Sequence, residues 1–214
     1  MYLTFWNSGS GKLVQYSLST PFDVGTASKV GDISITQPDW ICFSSDWNYF
    51  YYGRESDHTI KRYSLSTAWD ISTATQDQSY SVWGKYAGSV CLSNDWLHMA
   101  YAWNDNEVWK WCTCDLSTPR DLTTVNNLNI SINTPYAFIN GRWEIYGFFD
   151  SNILGQYEAS TPFDISSTLT QIGSFDTSGL SGLEWRAWWF SNDGKYRTVW
   201  QNNLSINLYE AQPM

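Results

Sequence analysis

Apolar residues along the chain come in short runs, and each run breaks off at a cluster of Ser, Asn, Asp or Gly. Four runs share one frame: 41–43 (Ile-Cys-Phe), 90–92 (Val-Cys-Leu), 137–139 (Ala-Phe-Ile) and 188–190 (Trp-Trp-Phe). They lead into Ser44-Ser-Asp-Trp47, Ser93-Asn-Asp-Trp96, Asn140-Gly-Arg-Trp143 and Ser191-Asn-Asp-Gly194, residue types that favour tight turns. An aromatic-rich strand follows each turn, over 49–52, 98–101, 145–148 and 196–200. A polar turn then leads to a strand that ends in a Leu-Ser-Thr element. A longer link reaches a fourth strand, over 30–35, 79–83, 127–133 and 170–175. These strands are named A to D in order. Helical periodicity is absent, because β-branched and aromatic residues prevail and Gly or Pro interrupts every few positions.

The Leu-Ser-Thr element is an internal repeat. Tyr16-Ser-Leu-Ser-Thr-Pro-Phe-Asp23 returns as Tyr63-Ser-Leu-Ser-Thr-Ala-Trp-Asp70, Cys114-Asp-Leu-Ser-Thr-Pro-Arg-Asp121 and Tyr157-Glu-Ala-Ser-Thr-Pro-Phe-Asp164, with a truncated copy from Tyr209. Starts at 16, 63, 114, 157 and 209 give intervals of 47, 51, 43 and 52 residues. Three positions before each start lies an apolar residue: Leu13, Ile60, Trp111, Leu154 and Ile206. A period of roughly 40–50 residues with four up-and-down strands is the unit of a propeller blade. On strand A, Phe43, Leu92, Ile139 and Phe190 take one face while Cys42, Cys91, Phe138 and Trp189 take the other. A strand apolar on both faces belongs between two neighbours. The expected fold is therefore an all-β propeller of five blades, one domain over residues 1–214, holding about 4.5 repeats. Strands B and C occur five times and A and D four times, so the first blade lacks A and the last lacks D. Either those blades are irregular or a neighbouring subunit covers an edge, which allows an oligomer.

The Tyr-Ser-Leu-Ser-Thr-Pro-Phe-Asp element, continuing as Val/Ile-x-Ser/Thr-Ala, resembles repeat proteins of tailed bacteriophages. Their signature reads Tyr-x-Leu-Ser-Thr-Pro-Trp-Asp-Ile-Ser-Thr-Ala, with a Phe-Ser-x-Asp-Gly turn. Residues 16–27, 63–74 and 157–167 match the first motif, and 43–46 and 190–194 match the second. The third copy departs, with Cys114 for Tyr and Arg120 for the aromatic. The resemblance spans nearly the whole chain and implies a virion-associated propeller: a tail, fibre or capsid decoration protein. It brings no catalytic residues.

Composition narrows the partners. The 14 Trp, 14 Tyr and 10 Phe outnumber the 33 charged residues, which argues against disorder. Twelve Lys and Arg against 21 Asp and Glu give a net charge of -9, so nucleic acid is not an expected partner. No apolar run reaches the roughly 18 residues of a membrane span, and residues 1–6 do not read as a secretory signal peptide. Membrane insertion is not expected, and the expected location is the virion, assembled in host cytoplasm. The four cysteines lack a CxxC and the two histidines lack a partner motif, so no metal or cofactor is expected and the thiols read as buried and reduced.

The candidate chemistry lies on two rims. Connections A–B and C–D share one, which presents Trp47, Trp96 and Trp143 with Phe22, Trp69 and Phe163. Trp beside Asp suits stacking on a sugar face, so Trp47, Trp69, Trp96 and Trp143 are the candidate ligand-binding residues. The alternative is that these rings fasten link to blade. Pro21, Pro119 and Pro162 with Asp23, Asp70, Asp121 and Asp164 read as turn and capping residues. Amide-rich B–C turns around Asn7, Asp57-His58, Asn104–Glu107, Asp150–Asn152 and Gln201–Asn203 line the other rim and read as solvated hairpins. The expectation is a non-enzymatic structural or adhesive virion component with other virion proteins and host-surface glycan as partners. A lectin-like module is the first alternative. A five-bladed glycoside hydrolase is the second, with Asp39 and Glu184 as its only candidate carboxylate pair.

Overall fold

The computed structural model describes residues 1–7, 10–20, 23–36, 38–54, 58–82, 86–105, 108–133, 137–139, 145–150, 153–176, 183–190, 196–201 and 205–210. They form five antiparallel sheets whose strands follow one another in sequence order. Sheet I holds β1 (Tyr2–Asn7), β2 (Ser10–Leu18) and β3 (Ala27–Ile35). Sheet II holds β4 (Pro38–Phe43), β5 (Tyr49–Arg54), β6 (Thr59–Leu65) and β7 (Ala74–Ser81). Sheet III holds β8 (Tyr86–Leu92), β9 (His98–Asp105), β10 (Val108–Leu116) and β11 (Val125–Asn133). Sheet IV holds β12 (Ala137–Ile139), β13 (Ile145–Asp150), β14 (Ile153–Ala159) and β15 (Leu169–Asp176). Sheet V holds β16 (Leu183–Phe190), β17 (Tyr196–Gln201) and β18 (Ser205–Glu210). The only helical pieces among the described residues are three 3-10 turns, Val24–Thr26, Ile71–Thr73 and Leu122–Thr124. Among them no helix is long and apolar enough to cross a membrane. The all-β, up-and-down part of the expectation holds, with sheets I and V three-stranded.

Alternate positions on a central strand supply two different cores. On β5, Phe50 and Tyr52 join Leu13, Ile35, Leu65 and Ile71 between sheets I and II, while Tyr51 faces sheet III. On β9, Met99 and Tyr101 pack with Tyr51, Ile60, Leu92, Cys112, Cys114 and Leu122 between sheets II and III. Ala100 and Ala102 face the other way, onto Trp111, Ile145 and Ile165 between sheets III and IV. Both faces of sheets II and III are thus buried, and consecutive sheets from I to IV are joined face to face. Fully burying one such large apolar side chain is worth about 1.5–3 kcal/mol. The apolar frame position before each repeat is consistent: Leu13, Ile60 and Trp111 are all buried and all face the following sheet.

The D strands are longer than expected. In sheet II, β7 starts at Ala74 rather than 79, because residues 75–77 (Thr-Gln-Asp) are exposed on an outermost strand and carry no apolar signal. Pairing of β2–β3, β6–β7 and β14–β15 also slips just before the repeat Tyr, where Val30, Asp77 and Ile172 are the extra residues. Such bulges splay a residue outward and twist an edge strand out of reach of another chain. They account for two exposed aliphatic side chains, Val30 at 58 % and Ile172 at 52 %.

All four cysteines carry thiols. Cys112 and Cys114 share one face of β10 as their spacing requires, and burial pushes the Cys114 thiol up to about 12. The neighbouring Cys42 thiol and burial together raise the Cys91 thiol.

Candidate aromatic rim

Each link between strands C and D is a closed loop of hydrogen bonds that the repeat spells out. In the second copy, Asp70 Oδ1 accepts from the Ser72 N–H at 2.9 Å and the Ser72 hydroxyl at 2.6 Å. The Thr73 hydroxyl donates to the Asp70 carbonyl at 2.7 Å and accepts from the Thr67 N–H at 3.2 Å. Asp121 with Thr123, Thr124 and Thr118, and Asp164 with Ser166, Ser167 and Thr161, repeat this arrangement. Asp23 with Gly25, Thr26 and Thr20 does so as well. The aspartates are therefore capping residues. The residue after Asp plugs the preceding sheet: Ile71, Leu122 and Ile165 are each buried there. Side-chain amides hold the plugs, with Gln15 Oε1 accepting from Ile71 N–H at 3.2 Å and Gln78 Oε1 from Leu122 N–H at 2.9 Å.

The residue before Asp sits in the left-handed region, with φ of 71° at Trp69, 68° at Arg120 and 64° at Phe163. Trp47 and Trp96 in the A–B turns share it, at 56° and 65°. The fourth copy has Gly194 at that turn position, the residue that adopts this backbone without strain. Turn and link are joined, since Trp69 N–H donates to Trp47 O at 3.2 Å and Arg120 N–H to Trp96 O at 3.1 Å.

From this backbone each link residue reaches the first residue of strand B in the preceding sheet. Trp69 meets Tyr2, whose hydroxyl donates to its carbonyl at 2.5 Å. Arg120 lies 5.4 Å over the Tyr49 ring, and Phe163 stacks on His98 at 3.9 Å and 7°. Tyr2, Tyr49 and His98 occupy equivalent places in β1, β5 and β9. Burial, with the nearby Asp70 charge, pushes the Tyr2 hydroxyl up to about 12.

The candidate residues separate on this geometry. Trp47 is half-buried in a stack between Trp69 at 3.7 Å and Tyr2 at 5.6 Å, with Phe43 at 4.8 Å. Trp96 is half-buried, packs against the core between sheets II and III, and lies 4.7 Å beneath Arg120. Both rings fasten link to sheet. Trp69 is 51 % exposed. Trp143 and Phe22 lie outside the described residues, as do Pro21, residues 57, 106–107, 151–152 and 202–203 of the opposite rim, and the side chains of Asp39 and Glu184. Among the described residues no cluster of three or more His, Cys, Asp or Glu could hold a metal ion.

Arg120 is where the sequence reading missed an interaction. Its Nη2 pairs with Asp46 at 2.8 Å in the turn of sheet II, and its carbonyl accepts from Arg62 Nη1 at 2.6 Å. Arg62 in turn grips Asp77 through Nε at 2.9 Å and Nη2 at 2.8 Å. The signal was its replacement of the usual aromatic.

The rim carboxylates make stability depend on pH. Burial opposes ionisation of Asp46 and Asp95, but the Ser44 and Ser93 hydroxyls and the Asn48 and Leu97 N–H groups outweigh it and hold both below the usual value. Thr123, through hydroxyl and N–H, does the same for Asp121. A carboxyl depressed by folding contributes its stability in full above its unfolded pKa and loses it as pH falls through the folded one. The melting temperature is expected to be level from about pH 7 to 5 and to drop progressively below about pH 4. A melting temperature unchanged down to about pH 2.5 would contradict this.

No protein-family model matches the chain, and no curated protein matches it. Among solved structures it is similar to a provisionally assigned 6-phosphogluconolactonase from Bacteroides fragilis, at 14 % identity and a TM-score of 0.47. Another so assigned, from Bacteroides uniformis, matches at 15 % identity and a TM-score of 0.47. Each match covers 78 % of this chain and 49 % of the other, so the chain spans about half their length. These similarities correct the expectation that the chain is not an enzyme, because both similar proteins are assigned an enzymatic activity. Rims of repeated sheets can carry catalytic side chains, so architecture excludes no chemistry. At this identity the match assigns no reaction.

Proposed function

We propose that the five sheets are blades of a β-propeller and that the chain is a structural and adhesive component of a bacteriophage virion, seated on other virion proteins and presenting its aromatic rim. The observation that carries the reading is the repeated inter-sheet fastening from Trp69 to Tyr2, Arg120 to Tyr49 and Phe163 to His98. A fastening at the same pair of positions between successive sheets turns each by a similar amount relative to the last, which is the geometry of radial repetition. Strands β4 and β8 lie against each other while β3 and β7 are largely exposed, supporting wedges that radiate from A strands at the centre. The virion assignment rests on the Leu-Ser-Thr-Pro-x-Asp signature, whose Thr and Asp close the link and whose residue before Asp reaches the preceding sheet.

Two measurements test this. Electron-microscopy class averages of the purified protein are expected to show a ring of five lobes, and an open arc or extended rod would overturn the propeller. Mass spectrometry of gradient-purified particles of the phage that encodes the chain is expected to find it at fixed stoichiometry. Its presence only in the lysate would overturn the virion role.

A further inference from the structure

We propose that the outer face of Trp69 is a binding platform for the apolar face of a neutral pyranose sugar, an inference that rests on the adhesive part of the reading above. Trp69 is 51 % exposed, more than any other aromatic whose side chain the structure describes. Its inner face is covered by Trp47, 3.7 Å away and 16° from parallel, which leaves the other face as the exposed one. The ring is also held in place. Its backbone N–H is bonded to Trp47 O at 3.2 Å, and its carbonyl accepts from the Tyr2 hydroxyl at 2.5 Å. A platform already fixed before binding gives up little conformational entropy when a ligand docks.

At the two equivalent positions the side chain is otherwise engaged. Arg120 is paired with Asp46 and lies over Trp96, and Phe163 is stacked on His98. Arg120 reaches the preceding sheet through its carbonyl and its guanidinium and Phe163 through its ring, whereas Trp69 meets Tyr2 through its carbonyl, which leaves the ring for another task.

The surroundings favour sugar over a protein partner. Ser66, Thr67 and Ala68 beside it are exposed and short, and Asp70 follows it. Stable protein interfaces need about 800 Å² of contiguous surface on each side. The other exposed large apolar residues among those whose side chains are described, Val30 and Ile172, stand singly at the bulges of β3 and β15. One flat ring amid hydroxyls and a carboxylate matches a sugar's apolar face and its equatorial hydroxyls. The net charge of -9 and the adjacent Asp70 disfavour anionic sugars, which sets the class as neutral. A single stack of this kind implies an affinity of about 1 mM, raised on a particle by many copies acting together.

The test titrates the intact protein with D-glucose, D-galactose, D-mannose, N-acetyl-D-glucosamine and N-acetylneuraminic acid, each to about a hundred times the expected Kd. Binding is read from the indole N–H resonance of Trp69, assigned by its disappearance in Trp69→Phe. At least one neutral sugar is expected to shift that resonance saturably. Trp69→Ala should weaken binding tenfold or more in a protein that still melts cooperatively, and Trp69→Phe should retain part of it. The proposal is overturned if no neutral sugar moves the resonance, if N-acetylneuraminic acid binds as well as the neutral sugars, or if Trp69→Ala leaves affinity unchanged. Loss of sugar binding with the chain still found in particles would sink this site alone. Sugar binding by a chain absent from particles would sink the virion role instead.

Discussion

Replacing Trp111 by alanine is expected to destabilise the protein by about 3–5 kcal/mol. Trp111 is 2 % exposed and fills the space between sheets III and IV, against Ala100, Ala102, Ile145 and Ile165. It occupies the frame position of Leu13 and Ile60, and its bulk there has a local reason. It pairs in register with Ala102 and shares its face of sheet III with Ala100. In sheet II the same places hold the smaller Ile60 and the larger Tyr51. The interfaces keep their thickness by trading volume between strands B and C, as close packing requires. Removing the Trp111 ring leaves a cavity beside two alanines that cannot grow to fill it, so relaxation recovers little of the loss. For a chain of this size the melting temperature should fall by roughly 10 °C. Urea unfolding of the intact protein would read the difference directly. Trp69→Ala, which gives up one half-exposed stack, should lose only about 0.5–1.5 kcal/mol by the same measurement. Equal losses for the two would mean that the frame position is not the core position it is taken for.

The strands and the two-faced burial were legible because both are written in periodicity. Phe50 and Tyr52 against Tyr51, and Met99 and Tyr101 against Ala100, follow from alternation alone. The capping role of Asp23, Asp70, Asp121 and Asp164 was legible for a different reason, since Asp followed two residues later by Ser, Thr or Gly is local chemistry that needs no tertiary contact. The extent of β7 was not, because an outer strand wet on both faces has no hydrophobic pattern to read. Nor were the partners of Trp69, Arg120 and Phe163. Those contacts join positions 67, 71 and 65 residues apart, and only the frame-wise pairing of Tyr2, Tyr49 and His98 with the next link would have suggested them. Exposure of the candidate Trp side chains was equally hidden. Trp47 and Trp69 sit in nearly the same local sequence of Ser, Asp and turn residues, yet one lies inside a stack and the other caps it.

That stack yields the second large effect, in which glycine should be less harmful than alanine. Trp47 has the Trp69 ring on one face and Tyr2 and Phe43 on the other, so losing its side chain should cost about 3 kcal/mol in packing. Its φ of 56° adds a backbone component that depends on the replacement. Any residue with a Cβ bears about 1–2 kcal/mol of strain in the left-handed region, and glycine bears almost none. Glycine also gains more freedom in the unfolded chain, which offsets part of that advantage. Trp47→Gly is therefore expected to be more stable than Trp47→Ala by about 1 kcal/mol, although it removes one more carbon. The same order should hold at Trp96, whose φ is 65°, and reverse at an extended position such as Ser64. Chemical denaturation of the four rim variants and the Ser64 pair would decide it. Alanine proving the more stable at both rim sites would mean that the turns release their left-handed backbone once the ring is gone. The tryptophans would then be the cause of that conformation and not merely tolerated in it.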